Sequence, residues 1–160
     1  MSYDYSENIL VQKSAGDLLR DELGWDVQFA YNTEVLGKNG TFGRTSYREI
    51  LLTRYFRQAL KRLNPWLTPA QADEAQKKME AHLSTASLMQ INEEKYALIR
   101  DGIPVTVKRP DGKTEEKRAQ VIDFQHPNDQ ERNHFLAIKE LKIHGELYRR
   151  RTDIVGFVNG

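Results

Sequence analysis

Gly102-Ile-Pro-Val-Thr-Val-Lys-Arg-Pro-Asp-Gly-Lys113 is the stretch whose reading decides the fold. Upstream of it apolar residues recur at helical spacing; from it onward they alternate, the period of a strand with one buried face. Ile103, Val105 and Val107 form the apolar side of a first strand, and Pro110 to Lys113 carries an Asp-Gly turn. The return strand is expected to carry Ala119, Val121, Ile122 and Phe124. After the polar loop from His126 to Glu131, residues Phe135 to Ile143 predict a third strand, Gly145 a turn, and Arg149 to Val158 a fourth.

Working back towards the start, Leu88 to Arg100 predicts a helix closed by Asp101-Gly102. Thr68 with Pro69 behind it is an N-cap followed by the residue best tolerated at the first helical position, so a helix is expected through Met79 towards Leu83. A further helix is expected from Ser46 to Asn64-Pro65, on the spacing of Ile50, Leu51, Phe56, Leu60 and Leu63. It holds Arg48, Arg54, Arg57, Lys61 and Arg62 against Glu49 alone, spread around its circumference, which suits surface charge and subunit contact as well as DNA. The first helix is expected from a Ser6 cap to about Leu23, and Trp25 to Glu34 as a short strand or extended arm. Gly37 to Gly43 matches a phosphate loop in composition only, because the order of its residues is wrong. Helices followed by antiparallel strands predict an α+β architecture, with a helical amino-terminal half on a mixed, mainly antiparallel sheet.

A chain of 160 residues suits one domain over 1–160, and its 39% hydrophobic content is enough for a core. With 24 Lys and Arg against 23 Asp and Glu, no global charge draws it to nucleic acid or membrane, so any such argument is local. The absence of cysteine excludes disulfides, thiolate metal sites and a cysteine nucleophile. Neither a signal peptide nor a membrane span is expected, and the cytoplasm is the expected compartment. His82, His126, His134 and His144 lack ligand spacing, so no zinc site is expected.

Thr152 to Gly160 reads as a strand running into Asn159-Gly160, a hairpin turn whose second strand is missing. The chain is therefore expected to be a fragment cut within a sheet. Asp153 opens that strand after three arginines. A carboxylate at the mouth of a strand is suited to a hard divalent cation, which takes oxygen ligands and keeps most of its water; equally, it suits a solvated residue pairing with a nearby arginine.

The tail Arg151-Thr-Asp-Ile-Val-Gly-Phe-Val-Asn-Gly160 resembles the R-x-D-[IV]-[IVL]-x-F-[IV]-N-G stretch in the amino-terminal nuclease domain of the R subunit of type I restriction enzymes. Other stretches resemble that family in order: Glu7 to Trp25, Gly43-Arg44, Glu49-Ile-Leu-Leu52, Ala59-Leu60, Leu63-Asn-Pro65, Leu98 to Val105, Val121-Ile-Asp-Phe124 and Asn133-His-Phe135. The resemblance covers nearly the whole chain. It implies a restriction-endonuclease-like PD-(D/E)xK core, Mg2+-dependent hydrolysis of DNA phosphodiester bonds, and Asp153 as the matching catalytic and metal-binding aspartate. The E-x-K half would lie on the strand after Gly160, so this fragment by itself is expected to be inactive. Glu7 is a second candidate for the metal, or simply a favourable charge near a helix N-terminus. Arg149, Arg150 and Arg151, with Lys139 and Lys142 on the preceding strand, form a basic stripe suited to DNA phosphates or to a solvated hairpin. Implied partners are double-stranded DNA, the modification and specificity subunits, and helicase motor domains in the same parent chain, which would bind the ATP. The rival reading is a non-catalytic nucleic-acid or protein-docking module in which Asp153 is structural.

Overall fold

The computed structural model describes residues 7–81 and 86–160; Ser6 and His82 fall outside them. Among these residues the elements run α1 (Glu7–Asp21), β1 (Asp26–Phe29), α2 (Thr53–Leu63), α3 (Pro69–Glu80), α4 (Leu88–Asp101), β2 (Ile103–Lys108), β3 (Thr114–Ala119), β4 (Phe135–Lys139), β5 (Lys142–His144), β6 (Arg149–Arg151) and β7 (Ile154–Val158). The class is α+β with a mixed sheet, as the change of period predicts. The described residues divide into two compact units, residues 7–54 with 134–158 and 160, and residues 55–81 and 86–133 with 159.

In the first unit β4 is the central strand of a three-stranded sheet ordered β1-β4-β7. It runs parallel to β1 and antiparallel to β7, with Leu136 opposite both Asp26 and Phe157. Leu136, Ala137 and Ile138 are fully buried, the continuous apolar run expected of a strand covered on both sides. Helix α1 lies against β1 and β4. The Trp25 ring packs against Phe135, with ring centroids 5.2 Å apart, and also sits over Gly156. A Cβ on Gly156 would come within 3.0 Å of that ring, so glycine here makes room for the tryptophan.

The sequence predicts two long strands from Phe135 to Ile143 and from Arg149 to Val158, and the structure breaks both at the same level. Glu140 takes a positive φ of 55°, ending β4, and the chain resumes at Lys142 as β5. Opposite it, Thr152 and Asp153 separate β6 from β7. Two backbone bonds bridge the break, Glu140 N–H to the Asp153 carbonyl and Thr152 N–H to the Leu141 carbonyl, each 3.0 Å. The result is a two-stranded ribbon, β5 paired with β6, carried beyond the sheet by the same two chain segments.

The helix expected from Ser46 begins only at Thr53, which is a correction. Polar groups of the intervening segment are engaged locally: the Thr45 N–H donates to the Glu49 carboxylate and the Arg48 N–H to Ser46 Oγ, side-chain bonds that compete with a helical ladder. Further along, Tyr47 gives its carbonyl to the His144 N–H and Leu52 its N–H to the Gly160 carbonyl, both 3.0 Å. Ile50, expected on the buried stripe, is 64% exposed. Arg48 and Glu49 thus leave the helix, and α2 retains Arg54, Arg57, Lys61 and Arg62. Three of these are engaged within the fold. Arg54 donates to the carbonyls of Gly40 and Thr41, Arg57 to Asp73 and Gln76, and Arg62 to the Arg132 carbonyl and Asn159 Oδ1.

In the second unit α3 and α4 lie against β2 of the β2–β3 hairpin. Thr68 and Gln71 form a reciprocal capping box at the start of α3, and Ser87 and Gln90 repeat it at α4. Gly102 ends α4 with φ 85°, where a side chain would strain the backbone and crowd Ala119. The return strand stops at Ala119, short of the expected Phe124. Val121 and Asp123 are nevertheless buried, because side chains rather than a strand partner satisfy their backbone: Asn159 Nδ2 donates to the Val121 carbonyl, while Asn133 accepts from the Asp123 N–H and donates to its carbonyl.

Candidate functional site

Asp153 stands at the break between β6 and β7, exposed, at the head of a strand on the sheet's edge. Its backbone is held by Glu140, whose own side chain turns to Arg151, Oε2 to Nη1 3.7 Å. Nothing in the sequence singles out Glu140, since a positive φ at a glutamate leaves no signal. Glu7 opens α1, but its side chain lies outside the described ones. Among the described residues no group of three or more His, Asp or Glu comes together in a way that could hold a metal ion.

The basic stripe separates in space. Lys142 and the arginines of β6 line an open cleft of about 480 Å³ together with Tyr31, Tyr47 and His144. Lys139 instead runs past Gly16 of α1, its Nζ 3.3 Å from where a Cβ on that glycine would stand, and is not among the lining residues. The aromatic rings hold the cations in place. Arg151 lies 4.5 Å and Lys142 5.2 Å from the Tyr31 centroid, and Arg44 lies 5.4 Å from that of Tyr47.

Arg44 is the foundation of this wall. It is 1% exposed and grips Glu34 through both carboxylate oxygens at 2.5 and 2.7 Å, then donates to the Lys142 carbonyl at 2.8 Å and the Glu49 carbonyl at 3.3 Å. Its charge is neutralised by Glu34, whereas no carboxylate lines the cleft above. His144, whose ring is 4.9 Å from that of Tyr47, feels the consequence. Desolvation, then Arg149, Arg48, Arg44 and Lys142, lower its pKa from the ordinary imidazole value.

A second polar assembly lies in the other unit. Asp123, 1% exposed, accepts from the N–H groups of Gln125 and His126 and from Arg132 Nε, with His126 Nδ1 3.2 Å away. Burial would raise its pKa, but the hydrogen bonds from Arg132, His126 and Gln125 overcome this and hold it at about 2. Beside it Asn133 and Asn159 are linked, Nδ2 of Asn159 to Oδ1 of Asn133 at 3.0 Å.

Residues 4–160 match the family described as the type I restriction enzyme R protein N terminus. The chain belongs to that family. A type I restriction enzyme HindI endonuclease subunit from Haemophilus influenzae is 30% identical over 139 residues, covering 86% of this chain and 12% of that protein. A putative type I restriction enzyme MjaIXP endonuclease subunit from Methanocaldococcus jannaschii is 29% identical over 122 residues, 73% of this chain and 11% of that one. This R-protein N terminus thus spans about one eighth of the length of the relatives it matches, and no solved structure matches it. No helix among the described residues is long and apolar enough to cross a membrane. The match takes in Asp153, the cleft and the Asp123 assembly alike.

Proposed function

We propose that residues 1–160 belong to a single restriction-endonuclease-like nuclease domain. In the parent subunit it would hydrolyse DNA phosphodiester bonds with Mg2+ while downstream motor domains hydrolyse ATP and move the DNA. The observation that carries this reading is the setting of Asp153 in a chain whose relatives are called endonuclease subunits: an exposed carboxylate at the head of an edge strand, beside a cleft of cations.

An exposed carboxylate suits a hard cation that keeps much of its water, and one carboxylate binds it weakly. Asp153 would hold Mg2+ together with the E-x-K residues of the strand that pairs next to β7, with Glu7 a further candidate. Bound there, the ion supplies charge neutralisation at the phosphate and a lowered pKa for water. The chain's own contribution is positional. The Glu140 N–H fixes the backbone at Asp153, and Arg149, Arg150, Arg151 and Lys142 attract and align the polyanion. The partners in this reading are double-stranded DNA, the modification and specificity subunits and the helicase domains of the same chain, all in the cytoplasm.

Asp153→Asn in the full-length subunit tests it. Asparagine keeps the size and one acceptor oxygen but removes the charge, so DNA cleavage is expected to vanish while DNA-stimulated ATP hydrolysis stays close to the parent rate. Continued double-strand breakage overturns the assignment. Parallel loss of ATPase would indicate a fold defect and a structural Asp153.

A further inference from the structure

The ribbon and the Tyr47 segment enclose a feature that metal chemistry does not use. Tyr47 gives its carbonyl to the His144 N–H, which fastens the segment before α2 along β5. Its ring and that of Tyr31 then wall the cleft on which Lys142, Arg149 and Arg151 converge, the alternate residues of the ribbon that share one face. Cations this close to one another repel unless an anion joins them; Arg151 has Glu140 beside it, outside the cleft lining, whereas Lys142 rests on the Tyr31 face and no carboxylate lines the cleft itself. The cleft is thus preorganised for an anion, and it is open enough to admit one carried on a polymer.

We propose that this cleft is a subsite for a backbone phosphate of the DNA strand, seated next to the phosphate that Asp153 serves. The proposal rests on the nuclease reading for its choice of polymer. Only Thr152 separates Arg151 from Asp153, at most about 7 Å of extended chain, so a strand with one phosphate among the ribbon's cations brings its neighbour towards the carboxylate. Tyrosines held under the cations limit the depth, favouring a phosphodiester lying across the cleft over a base inserted into it.

A proton provides the signature. His144 faces Arg44, Arg48, Lys142 and Arg149, and in the adjoining hollow a single carboxylate, Glu146. Desolvation and then these cations lower the imidazole pKa from its ordinary value. A phosphate in the cleft reverses the local field and favours the imidazolium, so DNA binding draws a proton onto His144.

The test uses the 160-residue chain with a short duplex oligonucleotide, blunt and lacking terminal phosphates, in parallel with inorganic phosphate. The His144 titration is followed by NMR of its ring proton. The midpoint is expected to rise when duplex is bound. Lys142→Gln with Arg151→Gln is expected to weaken duplex binding across sequences and to reduce the slope of log K against log salt by about 1, for the one phosphate that the variant leaves without its cations. An unchanged His144 midpoint with duplex bound, or an unchanged salt slope in the double variant, overturns the subsite. So does a midpoint that rises with inorganic phosphate and not with duplex, which would mark a site for a free anion. If Asp153→Asn still stops cleavage in the full subunit while the double variant binds DNA normally, the nuclease reading survives and the subsite alone falls.

Discussion

Around Asp123 three N–H donors and an imidazole converge on one buried carboxylate, whereas Lys142, His144 and the arginines of β6 line a cleft without a carboxylate. Both places are rich in charge, and they differ in what completes them. The Asp123 assembly is closed: Arg132 neutralises the carboxylate and Asn133 satisfies the backbone beside it. The cleft is open: one of its cations, Arg151, has a carboxylate nearby, Glu140 at 3.7 Å, while Lys142 rests on a tyrosine ring above Arg44, whose own charge Glu34 already cancels. Charge balanced within the chain holds the fold together; charge in excess of its partners is directed at a ligand. Function is therefore better sought in unbalanced exposed charge than in the most perturbed titrating group, here Asp123.

The contrast breaks most sharply at Arg44. Removing one partner of a buried ion pair leaves the other without compensation, so Arg44→Ala should destabilise the chain by about 3 to 5 kcal/mol, read as a lowered denaturation midpoint in urea. A loss below about 1 kcal/mol would mean that Glu34 finds water. Asp123 comes next. Its folded pKa lies below the ordinary carboxylate value, so it stabilises the fold fully above about pH 4, and that contribution is lost as the pH falls through about 2. Asp123→Asn should lower the midpoint at neutral pH and flatten its fall between pH 4 and 2. An acid limb as steep as the parent's would place the titrating group elsewhere. The smallest effect is expected at Arg150, which is exposed on the ribbon: Arg150→Gln should stay within about 0.5 kcal/mol of the parent. A larger loss would make the cleft part of the scaffold.

Local signals account for what could be read from the sequence. Thr68 with Pro69, Gly102 after α4, and the alternation of Ile103, Val105 and Val107 each act over a few residues, and the structure keeps all three. What escaped depends on groups far apart in the chain. Arg44 reaches a carbonyl 98 residues away, and Asn159 a carbonyl 38 residues away. The first helps fix the segment that periodicity would make helical, and the second helps bury residues that alternation would place in a strand. At the candidate site Asp153, Lys142 and the three arginines are visible because they lie close together in sequence beside a recognisable motif. Tyr31, Tyr47 and His144 are not, since nothing in their spacing brings them together. Glu140 is hidden because a left-handed backbone at a glutamate is set by the break around it.

The break at Glu140 and Thr152 also decides where this chain can tolerate insertions and deletions. The ribbon tip from Gly145 to Tyr148 closes on a single backbone bond, so residues added there would lengthen a turn and leave the pairing below it untouched. One residue added between Lys139 and Lys142 would have to be absorbed at the paired bonds that fix Asp153. Any slip passed into β7 would reverse which of its side chains face the core, because a strand's faces exchange with every single step of register. Length variation among related chains should therefore collect at the tip and be rare at the break.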